Sequence, residues 1–335
     1  MADDLKGKRI LFFCQYFFGY EEKIARKYRE LGAEVDLYDE RSVKKTIERA
    51  FLKVLPEVFH QKTEKYYAKI LKEIKTREYN YILFIDCEMP TEKVLRAFRR
   101  VFPKAKFCLH LWDSIKNLKG VEKKFSYFDY ITSFDRADAR DYAQIKFRPL
   151  FFCDEFRAGA QTLFYDYDLC FIGTIHSDRY KVIKALSAQT EHYGLKMYCY
   201  PYLQSRFIFY YYKIMKKEFR GTKADDFKFE KKSAADIADI VSRSRVIADV
   251  QHPGQTGLTM RTLEMVGMKK KLITTNQDIV NYDFYRKNNI MVINRSNVKC
   301  RKEFFETGYE EIPEQTYEYY SAARWCMDVL GLKNE

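Results

Sequence analysis

No apolar stretch in this 335-residue sequence approaches the roughly 18 to 20 residues that a bilayer-spanning helix requires, which argues against a chain threaded through a membrane. Eight cysteines, at 14, 87, 108, 153, 170, 199, 300 and 326, include no C-x-x-C pair, and several sit inside apolar runs. They read as reduced core thiols of a cytosolic protein. The five histidines, at 60, 110, 176, 192 and 252, lack any paired metal-ligand spacing, so no zinc site is expected. There is no G-x-x-x-x-G-K-[ST] loop, which disfavours a P-loop ATPase. After the first apolar run stands CQYFFGY where an ordinary NAD enzyme carries G-x-G-x-x-G. A G-x-S-x-G elbow is also missing, against an α/β-hydrolase. Neither an internal repeat nor a low-complexity tract interrupts the chain. The opening MADDLKGKRILFFCQ is too aromatic, and its apolar run too short, for a signal peptide. The expected location is the cytoplasm, with contact at the inner face of the cell membrane as a further expectation.

What the chain does contain is ample core material. Apolar residues make up 47% of the sequence, and the length favours about two domains. Lysine and arginine outnumber the acids by 60 to 47, a net charge of +13 that favours an anionic partner. Charge alone does not choose among a phosphorylated substrate, an acidic polymer, nucleic acid and an anionic membrane surface.

Short apolar runs alternate with amphipathic patterns almost throughout. Strands are expected at Ile10 to Cys14, Glu34 to Tyr38, Tyr81 to Asp86, Lys106 to Leu111 and Tyr130 to Phe134. Helices are expected at Glu21 to Leu31, about 42 to 55, 61 to 76 and 91 to 101. Residues 148 to 166 break the periodicity. A second series follows: strands Asp168 to Ile172, Leu195 to Tyr200, Val246 to Val250, Leu272 to Thr275 and Ile290 to Ile293, with helices 178 to 190, 233 to 243 and Thr316 to Leu330. This is an α/β pattern of two Rossmann-like, doubly wound parallel sheets, expected to face each other across a ligand cleft. The divisions expected are 1–150, a linker at 151–166, 167–313, and a C-terminal helix within 314–335 that packs back towards the first half.

Residues 252 to 276, HPGQTGLTMRTLEMVGMKKKLITTN, carry the most chemistry. A strand, a glycine-containing loop and a helix aim backbone N–H groups and the positive end of the helix at an anion, usually a phosphate. Gly257 permits close backbone approach, and the amides near Thr259 lie at the helix start. Arg261 offers a forked pair of donors to phosphate, and Glu264 can accept both hydroxyls of a ribose. Equally, Arg261 and Glu264 are three apart and suit a simple helix-surface pair. A second strand-glycine-helix turn, Phe171 to Arg179, offers Gly173, Thr174 and Arg179 as another wall, or merely an N-capped turn. In the first half Asp86, Glu88 and Asp113 lie at expected strand ends, where a general base for an acceptor hydroxyl would stand and where helix caps are also common. The segment Ser205 to Lys232, rich in aromatics and lysine, suits a membrane surface, a lipid-linked acceptor, or a core-facing helix with a solvated basic side.

The succession FIGTIHSDR, DVQHPGQTGLTMRTLEMVGMKKKLITTN and IVNYDFYRKNNIMVI resembles GT-B glycosyltransferase-like proteins of bacterial capsule, exopolysaccharide and lipopolysaccharide biosynthesis, and among them the CgeB-like group. The likeness is clearest over roughly 167 to 295. It implies a C-terminal half that binds a nucleotide-sugar donor, with Glu264 on the ribose, Gly257 and Thr259 in the loop, and His252 and Gln255 beside it. It also implies Arg179 on the diphosphate, and Thr274, Thr275 and Asn276 facing the donor sugar. No cofactor or metal is implied. Two departures stand out: Thr256 takes the place of a glutamate, and Gly267-Met268-Lys269-Lys270-Lys271 replaces a small-residue segment. The function expected is transfer of a sugar to a polysaccharide or lipid-linked saccharide. The alternatives are a nucleotide-sugar epimerase on the same plan and a non-catalytic basic protein that binds anionic polymer. Nucleic acid is not expected as a partner, because no recognition motif for it is present.

Overall fold

The computed structural model describes residues 5–16, 19–42, 60–159, 164–254 and 256–332. The amphipathic stretch expected at about 42 to 55 falls almost wholly outside the described residues, as does Gln255. The chain forms two compact units, one of residues up to Leu150 together with those from Ala322 on, the other from Phe151 to Ser321.

The first unit runs β1 (Arg9–Cys14), α1 (Tyr20–Glu30), β2 (Glu34–Asp39), α2 (His60–Ile74), β3 (Tyr81–Ile85), α3 (Glu92–Val101), β4 (Lys106–Leu111), β5 (Tyr130–Ser133), α4 (Arg136–Asp141) and β6 (Ile145–Phe147). Its six strands are ordered β2-β1-β3-β4-β5-β6, all parallel. Strands buried on both faces should read as continuous apolar runs, and ILFF in β1 and ILFI in β3 do so. Phe13 and Phe84 stack across β1 and β3 with ring centroids 4.6 Å apart, beneath Phe98 of α3. Burying each such ring contributes about 1.5–3 kcal/mol. Helix α1 stops where Gly32 takes φ +95°, and a Cβ there would lie 3.1 Å from the Lys6 backbone.

The second unit runs β7 (Tyr167–Thr174), α5 (Arg179–His192), β8 (Met197–Tyr202), α6 (Arg206–Met215), α7 (Ala234–Ser242), β9 (Ser244–Asp249), α8 (Met260–Gly267), β10 (Lys271–Thr274), β11 (Ile290–Val292), α9 (Glu303–Glu306) and α10 (Glu314–Tyr319). Its five strands are ordered β11-β10-β9-β7-β8, again all parallel. Both sheets therefore have the doubly wound form expected. Chain order reverses beside β1 in the first and beside β7 in the second, and these switch points open crevices at the strands' carboxyl ends.

Three local differences from the expected elements have clear causes. Strand β3 ends at Ile85 because Asp86 and Cys87 take left-handed conformations, φ 65° and 53°. The expected helix Thr316 to Leu330 is two helices, α10 and α11 (Ala322–Val329), separated where Phe152 bridges Ser321 and the Phe152 N–H donates to the Tyr320 carbonyl at 2.8 Å. Residues 151–159, outside any helix longer than one turn, are not a free connector: Phe151, Phe152, Cys153 and Phe156 are buried, and a Cβ on Gly267 would meet the Phe152 ring at 2.5 Å. A glycine is thus required at the end of α8.

Helix α11 completes the first unit. Trp325 is fully buried with its ring edge-on to His110 at 5.0 Å, and Tyr28 donates to the Cys326 carbonyl at 3.1 Å. Buried Arg148 pairs with part-buried Asp328 at 2.8 Å. All eight cysteines are free thiols, and all but Cys199 are buried.

Candidate functional site

In the second unit the crevice beside β7 is built around Arg179. This residue begins α5, and its guanidinium donates from Nε to the Val250 carbonyl at 2.6 Å and from NH1 to the Thr174 carbonyl at 2.7 Å. It thereby ties the carboxyl ends of β9 and β7 together across the switch point. Arg295, just after β11, pairs with Asp178 at 2.6 Å and also donates to the Gln251 carbonyl. Because Asp178 is turned to Arg295, it makes no side-chain cap on α5, a helix of 14 residues. Ser177 sits in the left-handed region at φ 49°, and its carbonyl accepts from Lys216 Nζ at 2.7 Å. The His176 and His252 rings lie 5.7 Å apart. Burial, and then the charges of Arg179, His252, Lys216 and Arg295, push the His176 pKa down to about 4. Burial also lowers the Arg179 pKa, opposed by Asp249. The imidazole of His176 is thus held neutral by its burial and by the cations nearest to it, while Asp178 and Asp249 partly balance the two arginines.

The loop 252 to 259 is held from below. His252 is exposed, and its Nδ1 accepts from the Gly254 N–H at 3.2 Å. Gly257 is buried, and Asn276 Nδ2 donates to the Thr256 carbonyl at 3.0 Å and towards that of Gly257 at 3.4 Å. Thr259 is the N-cap of α8, accepting from the Thr262 N–H at 3.1 Å. The hydroxyls of Thr259 and Thr262 both donate to Asp249 Oδ2, at 2.6 and 2.7 Å. Buried Asp249, at the end of β9, thus places a carboxylate of the protein's own beside the start of α8. Arg261 and Glu264 form an ion pair at 3.1 Å along α8, and Glu264 is buried.

Thr274, Thr275 and Asn276 are all buried at the end of β10. Thr274 Oγ1 accepts from the Asn276 N–H, Thr275 donates to Gln251 Oε1 at 2.6 Å, and Asn276 caps the turn that begins at Gln277. Asn276 thus holds residues 256 and 257 from within the unit, and Thr274 in turn fixes the backbone of Asn276. A Cβ on Gly173 would lie 3.2 Å from the Phe171 ring and 3.6 Å from an Arg179 nitrogen, so the glycine lets both pack closely against the end of β7. The lysine run is structural: Lys269 pairs with Glu311, Lys270 donates to the Ser242 and Ser244 carbonyls, and Lys271 to those of Phe304 and Thr307.

The structure therefore brings together Gly173, Thr174, Arg179 and the strand end of β9. Two members of this cluster were not foreseen, Asp249 and Arg295. Asp249 ends β9, in IADV, and Arg295 stands three residues after β11, in VINRSN, with no glycine-bearing turn to mark either.

In the first unit the strand ends carry the opposite charge. Asp86 Oδ1 accepts from the N–H groups of Trp112 and Asp113 at 2.6 and 3.0 Å. Burial pushes its pKa up to about 7 against those bonds, helped by Asp113 and Glu88. Glu88 accepts from Gln15 at 3.1 Å, linking the ends of β3 and β1. Asp113 is exposed and caps its own turn through Ser114 and Asn117. Glu40, unforeseen, is fully buried and accepts from the Met89 N–H at 2.7 Å; burial pushes its pKa to about 8. Among the described residues no group of three or more histidine, cysteine or acidic side chains is placed to hold a metal ion.

No family model and no curated protein matches the sequence. Among solved structures, the chain is similar to HepE of Anabaena in complex with UDP-glucose, with a TM-score of 0.55 at 12% identity over 96% of this chain and 94% of that one. It is also similar to the apo form of the lipopolysaccharide outer core galactosyltransferase WaaB, with a TM-score of 0.51 at 11% identity over 96% and 97%. At such identities the likeness establishes the fold: two Rossmann-like domains of the GT-B kind.

Proposed function

We propose that this chain is a glycosyltransferase that takes a sugar from a nucleoside-diphosphate donor and delivers it to a saccharide acceptor in bacterial surface polysaccharide assembly. The single observation that carries the proposal is the cation cluster at the switch point of the second unit, where Arg179 and Arg295 converge on the uncapped start of α5 beside a neutral His176. A diphosphate would add its negative charge to a crevice where Arg179 bonds only backbone carbonyls through Nε and NH1 and Arg295 shares its charge with Asp178. Support for the donor class comes from the shared fold with HepE, whose structure contains UDP-glucose. Glu264 is assigned to the ribose: its carboxylate is held in place by Arg261 and can accept from a vicinal diol.

In the proposed reaction the acceptor hydroxyl oxygen attacks the anomeric carbon. The bond from that carbon to the diphosphate oxygen breaks, and the diphosphate leaves with the electron pair, stabilised by Arg179, Arg295 and the helix start. The hydroxyl proton passes to a base, for which Asp86, Glu88 and Asp113 are the candidates. Asp86, pushed to about 7, is best matched to taking and releasing a proton near neutrality.

A thermal-shift panel of UDP, GDP and dTDP sugars tests the proposal, with a CMP sugar, which carries a monophosphate, as the control expected not to bind. One member is expected to raise the melting temperature, and incubation with that donor alone is expected to yield no epimerised sugar. Stabilisation by none of them would overturn the proposal, and conversion of the donor sugar without an acceptor would replace it with epimerisation.

A further inference from the structure

Helix α6 is apolar on two opposite sides. Facing inward, Phe209 is buried and Ile208 and Tyr212 are partly buried against the core of the second unit, where Phe209 meets Phe227 at 5.5 Å. Facing outward, Phe207 is 80% exposed, Ile214 78%, Met215 65%, Tyr210 56% and Tyr211 52%. At about 100° per residue, positions 207, 210, 211 and 214 fall on one stripe roughly opposite 208, 209 and 212. A surface helix should turn polar residues outward. Instead this one helix of ten residues holds half of the exposed large apolar side chains among the described residues. Such clustering marks a docking surface rather than scattered exposure.

The flanking charge identifies the partner. Between 205 and 223 there are six basic residues and one acidic residue. Arg206, Lys213, Lys217, Arg220 and Lys223 are exposed. Arg206 lies over the Phe229 ring at 5.2 Å and Lys213 over the Phe209 ring at 5.7 Å, so their stems run along apolar surface beside the stripe while the charges stay in water. Tyrosines 210 and 211 offer an apolar ring with a polar tip, the form suited to a lipid headgroup boundary. At 1.5 Å per residue the helix is about 15 Å long, half the bilayer core, so it can lie in the interface and cannot cross it.

We infer that α6 is an interfacial anchor that lays Phe207, Tyr210, Tyr211, Ile214 and Met215 into the surface of an anionic bilayer, with the flanking basic residues on the lipid headgroups. The anchor is independent of the sugar-transfer proposal, since no donor-site residue belongs to its exposed stripe.

Flotation of the full chain with vesicles tests it. Binding is expected to vesicles of one part phosphatidylglycerol to three of phosphatidylcholine, with at least tenfold weaker binding to pure phosphatidylcholine and to the anionic vesicles in 0.5 M salt. The double variant Phe207→Ser, Ile214→Ser removes only exposed apolar groups, so its fold and melting temperature are expected to hold while vesicle binding falls at least tenfold. In Tyr211→Trp, new indole fluorescence is expected to shift to the blue on adding the anionic vesicles. Absence of binding to anionic vesicles, unchanged binding by the double variant, or a concentration-dependent dimer that this variant abolishes would each overturn the anchor, the last by assigning the stripe to a second copy of the chain.

Discussion

The two units build the same kind of crevice and fill it with opposite charge. Each has a parallel sheet whose strand order reverses beside its first strand. In the first unit the crevice holds Glu40, Asp86 and Glu88; in the second Arg179, Arg295 and His176 stand with Asp178 and Asp249 as counter-charges. Burial acts on both sets and moves their pKa values in opposite directions, up to about 8 and 7 for Glu40 and Asp86, down to about 4 for His176. A shared topology thus provides a place for chemistry and leaves its sign to a few side chains at the strand ends.

The comparison can be broken most forcefully at Arg179. Arg179→Ala leaves the Thr174 and Val250 carbonyls without their donor, and is expected to cost the second unit about 2–4 kcal/mol in urea unfolding. Donor binding measured by calorimetry should fall on the order of a hundredfold, and Arg179→Lys should restore part of the stability but less of the binding.

The next effect is in the first unit. A carboxyl whose folded pKa is raised binds its proton more tightly when folded, so stability is greatest below the unfolded value near 4.5 and declines as pH rises towards about 8. Glu40→Gln removes that charge and is expected to stabilise the protein at pH 8 by a few kcal/mol, with little change at pH 4.5. Denaturant midpoints at the two pH values check this, and an equal shift at both would remove titration as the cause.

Glu264→Ala should weaken the cognate nucleotide about tenfold, the value of a hydrogen-bonded charge, with the fold kept but the melting temperature lowered by loss of the pair with Arg261. Unaltered binding would detach Glu264 from the site. The smallest effect belongs to His176. Its depressed pKa means that the unfolded chain takes up the proton first, so stability present above about 6.5 is lost as pH falls towards 4. After solvent screening this is expected to amount to no more than about 1 kcal/mol, abolished in His176→Gln. The two crevices would then show pH dependences of opposite slope within one chain.

Most of the sheet architecture was legible because parallel strands, buried on both faces, announce themselves as uninterrupted apolar runs such as ILFF and YILFI. Strand β6, three residues reading IKF, and α4, reading RADARD, carry too little apolar signal and exist through their neighbours. In the candidate site, Arg179 and Glu264 stood out because each follows a glycine-bearing turn. Arg295 and Asp249 did not, since their meaning lies in pairings with Asp178 and with Thr259 and Thr262 that only the folded chain creates. Helix α6 was open to two readings for a similar reason: an aromatic run shows that a helix is apolar but not how many of its sides are.

The return of α11 to the first unit sets a timetable for synthesis. The second unit is one unbroken segment and can close as soon as it leaves the ribosome, whereas the first must wait for Trp325, Cys326 and Asp328. Until then buried Arg148 lacks its carboxylate partner and His110 its covering indole. The part of the chain made first is the part finished last, reversing the usual order of domain completion during translation, and a nascent chain cut short before Ala322 leaves the ribosome with its leading half unsealed.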